Sequence, residues 1–118
     1  MTIVKKTVNG NEYEFVNNFR RNRSGFVHEA TLFRNGRYEG ENHIQYYNRT
    51  WECYTYQSVM KGLVYGLLEN CRNAYEMAWK NDRGIKRLTK AKRKEMEEEM
   101  ENNPPINYAE LKELYEQL

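Results

Sequence analysis

The stretch 44-IQYYNRTWECYTYQSVMKGLVYGLLENCRNAYEMAW-79 decides the fold, because an aromatic, strand-like segment passes directly into a long apolar helix. Met60, Val64, Leu67, Cys71, Ala74 and Ala78 recur at spacings of four and three, the pattern of one buried helical face. Leu63, Leu68, Tyr75 and Trp79 widen that stripe. Gly62 and Gly66 share a face and admit a close neighbour there, although each costs about 1 kcal/mol of helix propensity relative to alanine. A sheet or a second subunit is expected against them.

Working outward from this stretch, the preceding residues read as antiparallel hairpins. Ile3 to Val8 and Glu12 to Phe19 flank Asn9-Gly10, and both turn residues tolerate the positive φ of a two-residue hairpin loop. Ile3, Lys5 and Thr7 face one way; Val4, Lys6 and Val8 face the other. Arg20-Arg21-Asn22-Arg23-Ser24-Gly25 reads as a loop. A second hairpin runs from Phe26 to Arg34, turns at Asn35-Gly36 and returns from Arg37 towards Tyr47, with Gly40 marking a bulge. Asn48-Arg49-Thr50 forms a turn, and Trp51 to Tyr56 offers a fifth strand. Connections this short require an antiparallel meander.

The helix from about Gln57 to Asn81 covers that sheet and stops at Gly84. A second helix, Leu88 to about Asn102, places Lys90, Lys92, Arg93 and Lys94 before Glu95, Glu97, Glu98, Glu99 and Glu101. That order opposes the helix macrodipole. Arg93 with Glu97 and Lys94 with Glu98 offset the misfit only in part. Pro104-Pro105 ends this helix, and a third begins with Asn107 as N-cap, Glu110 as its capping-box partner and Ile106 stapled onto Leu111. Leu111, Leu114, Tyr115 and Leu118 form its apolar face. The expected fold is therefore α+β: an N-terminal antiparallel sheet of four or five strands packed on a long helix, then two shorter helices. It forms a single domain over residues 1–118, sheet through residue 56 and helical from residue 57.

With 118 residues, the chain is long enough to fold without metal or disulfide staples. A net charge of +2 argues against a nucleic-acid binder working by bulk electrostatics, while leaving room for a local basic loop. Ten tyrosines suit half-covered strands as well as interface positions. Cys53 and Cys71 cannot build a disulfide framework and read as free thiols of a reducing compartment. The amino terminus MTIVKKTVNGNEYEF has no continuous apolar core of a signal peptide, and no run approaches the roughly 20 apolar residues of a membrane span. A cytoplasmic location without membrane contact follows.

Catalysis finds no signature. His28 and His43, which could be neighbours across the second hairpin, sit in no metal-ligand spacing, and nucleophile elbows, phosphate loops and dinucleotide fingerprints are missing. No enzyme activity, cofactor or metal is expected. The informative constellation is basic and aromatic: Arg20, Arg21 and Arg23 beside Phe19 and Phe26, with Asn48 and Arg49 beside Tyr46, Tyr47 and Trp51. Guanidiniums fork onto phosphates, rings stack on bases and an asparagine amide reads polar edges. The alternative makes these ordinary solvated arginines and places Trp51 in the core. The charge-split second helix also suits an antiparallel, self-complementary contact with its own copy, and hence a homo-oligomer. The competing reading leaves it bathed in solvent.

YYNRTWECYTYQSVM, following an Asn-Gly hairpin and the strand RSGFVHEATLF, resembles small accessory proteins of phages and prophages. Within that group, a sheet wrapped on carboxy-terminal helices resembles the Thoeris anti-defence sponge family. The resemblance implies a non-enzymatic anti-defence protein that sequesters a cyclic nucleotide immune signal, such as a cyclic ADP-ribose isomer, unaltered at an oligomer interface in the bacterial host. No ligand contact of that family transfers to a numbered residue here. The expected ligand-binding residues, from the constellation above, are Arg20, Arg21, Arg23, Asn48, Arg49 and Trp51. Two alternatives stand beside this one: an anti-CRISPR-type inhibitor that binds a host nuclease or its guide RNA, and a single-strand nucleic-acid-binding module.

Overall fold

The computed structural model describes residues 1–23, 25–46 and 56–118. Four strands, β1 (Thr2–Val8), β2 (Asn11–Asn22), β3 (Gly25–Arg34) and β4 (Arg37–Tyr46), precede three helices, α1 (Tyr56–Arg83), α2 (Lys90–Asn102) and α3 (Ile106–Gln117). The strands form an antiparallel sheet in the order β1-β2-β3-β4. The expected α+β architecture is the observed one. The turn expected at 48–50, residues 51–55 of the expected fifth strand, and Cys53 lie outside the described residues, while Tyr56, expected to end that strand, opens α1 instead.

Local chemistry accounts for the meander. Asn9 and Gly10 have φ of 56° and 79°, and Asn35 and Gly36 have 50° and 81°, as two-residue hairpin loops require. The two turns are also tied together. Asn35 donates its backbone N–H to the Glu12 carbonyl at 2.8 Å, and its side-chain oxygen accepts from the Glu12 N–H at 2.8 Å. The register steps between Leu32, paired with Gly40, and Phe33, paired with Tyr38, so the expected bulge falls beside Gly40. Leu63 and Leu67 of α1 pack over Gly40, where a Cβ would stand in ordinary van der Waals contact at 3.9 and 3.5 Å.

The region expected as a loop at Arg20 to Gly25 is instead mostly ladder. Asn22 pairs with Gly25, so Arg20 and Arg21 are strand residues and the chain turns after Asn22, at Arg23. Polar composition alone suggested a loop, but pairing with Phe26 and Val27 satisfies this backbone and extends the strands.

One face of the sheet makes the core. Val8, Tyr13, Phe15, Ala30 and Leu32 pack against Val59, Met60, Leu63, Val64 and Leu68 of α1 and Leu111 and Leu114 of α3. Ile3, Lys5 and Thr7 stay on the exposed face, as their alternation predicts. The α1 stripe departs from expectation at Ala74 and Ala78, which are exposed, and at Val59, which is fully buried. The early part of α1 meets the sheet, whereas Trp79 near its end is covered through α2, donating its indole N–H to Glu99 at 2.6 Å. Arg83 lies 3.8 Å from the Trp79 ring centroid and reaches the same carboxylate.

Helix ends follow backbone needs with two corrections. Gly84, at φ 65°, closes α1 as expected, with its N–H bonded to the Asn81 carbonyl and that of Ile85 to Lys80. Helix α2 starts at Lys90, two residues later than expected, because the Thr89 hydroxyl caps it by accepting from the Lys92 N–H. In α3 the N-cap position belongs to Pro105, with Asn107 inside the helix and Ile106 exposed, so neither capping box nor staple forms. Glu110 has a different task, described below. The pairs expected within α2 give way to Lys92 with Glu95 and to Arg93 with Glu76 of α1.

Of the two α1 glycines, one meets a close neighbour. A Cβ on Gly62 would stand 2.8 Å from Nδ2 of Asn42, which donates to the Val59 carbonyl at 3.1 Å; nothing lies within 4 Å of a Cβ on Gly66. Gly66→Ala is therefore expected to raise stability by up to about 1 kcal/mol through helix propensity. Gly62→Ala should lose that gain by displacing Asn42. Urea denaturation checks the contrast, and an equal gain at both sites would contradict it.

Candidate functional site

The far end of the β2–β3 ladder gathers the expected arginines unequally. Strand alternation puts Arg20 and Arg21 on opposite faces. Arg20 pairs diagonally with Glu29, its Nη2 3.1 Å from the carboxylate, with both groups substantially exposed. Arg21 stands opposite Phe26 and holds its guanidinium carbon 5.8 Å from that ring centroid. Phe26 stacks on Phe19 with centroids 5.4 Å apart and planes inclined by 22°, while His28 meets the edge of Phe19 at 6.0 Å. Phe19 is 43% exposed, and Arg23 extends from the turn into solvent. The result is an exposed end carrying a stacked pair of rings and an adjacent guanidinium. Asn48, Arg49 and Trp51 lie outside the described residues.

Phe19 and Phe26 entered the sequence reading only as neighbours of arginines. Their cross-strand stacking depends on a register that local composition did not reveal. The two histidines are not neighbours: His28 stands opposite Ile44 and is buried, whereas His43 stands opposite Glu29 on the other face and is exposed. Burial lowers the His28 pKa from its ordinary value.

At the other end of the sheet a buried carboxylate collects three donors from two strands, β2 and β3. Glu110, 3% exposed, accepts through Oε1 from the Tyr13 hydroxyl at 2.5 Å, the Asn11 amide at 2.9 Å and Arg34 Nε at 3.2 Å. Burial alone would push its carboxyl up, but these hydrogen bonds outweigh burial and hold it below the usual carboxylate range. The Tyr13 phenol is pushed well above its usual value, first by burial and then by its bond to Glu110. Neither group changes protonation near neutrality, so the cluster is a fixed electrostatic clamp and not a proton-transfer pair.

Beside it opens a cavity of about 340 Å³ where Tyr13, Arg34 and Glu39 meet Cys71, Asn70 and Asn107. Burial raises the Cys71 thiol, which keeps it protonated and poorly nucleophilic. A wider groove of about 580 Å³ separates α1 from α2 and α3 over Met96, Met100 and Tyr108. Its Arg72 and Arg93 already meet Glu69 and Glu76, leaving a wall of mixed charge. Among the described residues, no group of three histidine, cysteine or carboxylate side chains could hold a metal ion, and no helix is long and apolar enough to cross a membrane.

Comparison with protein-family models, with curated proteins and with solved structures finds no match to the chain. Function must therefore be argued from these geometries.

The Glu110 clamp has a defined pH signature. Its native carboxyl titrates below the unfolded value, so its stabilisation is complete above about pH 4.5 and is lost as pH falls through the lowered native value. His28 adds a second loss at higher pH, because its depressed native pKa makes the unfolded state bind protons first below about pH 6.5. Glu110→Ala is expected to cost about 2–3 kcal/mol at pH 7 by leaving charged and phenolic donors without their acceptor. It should also flatten the stability loss below pH 4.5. Urea titrations at pH 7, 5.5 and 4 check both effects; unchanged acid sensitivity would remove Glu110 as its source.

Proposed function

We propose that this protein is a non-enzymatic binder of a phosphate-bearing nucleotide ligand, which it engages at the far end of the β2–β3 ladder. The observation carrying this reading is the stack of exposed Phe19 on half-buried Phe26, with Arg21 beside Phe26 and Arg23 at the turn. A ring pair supplies a stacking surface for a base, while adjacent guanidiniums match phosphate geometry and charge. Arg20 is the weaker contributor because Glu29 already engages it. Asn48, Arg49 and Trp51 keep their proposed roles in polar readout, phosphate neutralisation and stacking.

Binding without turnover suits sequestration. Together with the resemblance to phage anti-defence sponges, this leads to a cyclic nucleotide immune signal as ligand, held unaltered in a bacterial cytoplasm. A homo-oligomer belongs to the same proposal, because the sponges that the chain resembles hold their ligand at an oligomer interface.

A thermal-shift screen against cyclic dinucleotides, cyclic trinucleotides and cyclic ADP-ribose isomers tests the reading, because a ligand selective for the folded state raises Tm by mass action. The bound compound should be recovered unchanged after heat release. Arg21→Ala or Arg23→Ala should weaken its binding at least tenfold while leaving the Tm of the free protein within about 1 °C, since exposed side chains contribute little to stability. Recovery of a converted compound would overturn the non-enzymatic reading. Unaffected binding in both variants would remove the proposed site.

A further inference from the structure

A second cationic surface lies where α1 turns into α2. Between Lys80 and Lys94 the only carboxylate is Asp82. Four of the cations there are engaged: Lys80 and Arg93 with Glu76, Arg83 with Glu99, and Lys92 with Glu95. Lys86, Arg87, Lys90 and Lys94 are exposed, and among the described residues none has a carboxylate within ion-pair distance. The cluster is distant from the aromatic end of the ladder. Met60 lies against Asn17 in the sheet, and the 23 further residues of α1 to Arg83 span about 35 Å at the usual helical rise.

The position of these charges makes the cluster more than a solvated face. The first turn of α2 carries no acid, and Lys90, Lys92, Arg93 and Lys94 crowd the positive end of its dipole. Bases at that end destabilise a helix, and their mutual repulsion adds to the cost. An anionic partner would reverse both terms, because its charge would meet the cations and the first N–H groups of α2 together.

We propose that Lys86, Arg87, Lys90 and Lys94 form a docking surface for the sugar-phosphate backbone of a nucleic-acid strand. Lys90 and Lys94 are one helical turn apart and present their charges from one face, about 6 Å apart along the axis. Lys86 and Arg87 continue the cationic surface through the preceding loop. Contacts of this kind provide affinity without base selection. A second copy of the chain is the poorer fit. If an antiparallel α2 set Lys90 against Glu101 and Lys94 against Glu97, the same alignment would bring Lys86 and Arg87 to Pro105 and Pro104. An anionic membrane fits less well because Ile85 and Leu88, the apolar residues of this loop, are half-buried.

The test is fluorescence anisotropy of the full chain with a labelled DNA strand of about 20 nucleotides, single and as duplex, from about 50 to 200 mM salt. Four phosphate contacts predict a log–log salt slope of about −3 to −4. Replacing Lys86, Arg87, Lys90 and Lys94 together by glutamine should lower affinity at least tenfold at low salt and remove about three from the slope. The free variant should melt at the same temperature or higher, because the misfit with the helix dipole is relieved; the pair Lys90→Gln and Lys94→Gln provides a milder version.

Arg21→Ala should leave this binding unchanged, which separates the surface from the nucleotide site proposed above. The inference is overturned if neither DNA form binds at about 50 mM salt, or if the glutamine variant binds as tightly as the parent. It also fails if Arg21→Ala alone abolishes binding, if only anionic vesicles bind, or if the substitutions merely turn a dimer into a monomer.

Discussion

The carboxylate of Glu110 is the constraint on which the arrangement of sheet and helices depends. It comes from the last helix, yet its donors sit on the first hairpin and on the end of β3, so it joins segments separated by most of the chain. Taking a carboxylate out of water is costly, and the cost is offset only when charge-assisted donors surround it. Asn11, Tyr13 and Arg34 supply these donors. Because α3 must bring Glu110 to them, it also brings Leu111 and Leu114 onto the sheet, where they complete the core. A short helix of marginal intrinsic stability thereby acquires a defined seat.

Around that seat, α1 works as a beam whose two parts have different jobs. Its first half packs on the sheet, with Asn42 fitted into the space over Gly62 and bonded to the Val59 carbonyl. Its second half outruns the sheet and serves as a base for α2, through Trp79, Arg83 and Glu76. This division separates two chemically different ends. One carries stacked rings beside a guanidinium; the other carries exposed lysines and an arginine at the start of a helix. The groove between the helices is a poor candidate for an anion because its two arginines, Arg72 and Arg93, already meet Glu69 and Glu76, and Glu97 and Glu101 add further negative charge to its wall.

Elements governed by local rules were legible in the sequence. Asn9-Gly10 and Asn35-Gly36 announced their hairpins because few other residue pairs accept positive φ twice in succession. Gly84 announced the end of α1 on the same conformational grounds, whereas Gly40 announced a bulge without a positive φ of its own. The long apolar periodicity of α1 identified the cover of the sheet, and the alternation in β1 correctly assigned its two faces. The unusual charge order of α2 was equally visible. Of the candidate site, Arg21 and Arg23 were legible as an exposed basic pair, but their relation to the ring stack was not.

Tertiary structure decided the points at which a local pattern had two satisfactory outcomes. Arg20 to Asn22 had the polarity of a loop, but facing residues of β3 paired their backbone into the ladder and placed Arg20 and Arg21 on opposite faces. Glu110 had the spacing of a capping-box partner for Asn107, but donors on β2 and β3 recruited it into the interior. By itself the sequence determined the order and kind of the elements, since turn conformation and hydrophobic period act over a few neighbours. Only the assembled fold decided which polar groups would be buried, paired or left facing solvent, because those outcomes depend on partners distant in the chain.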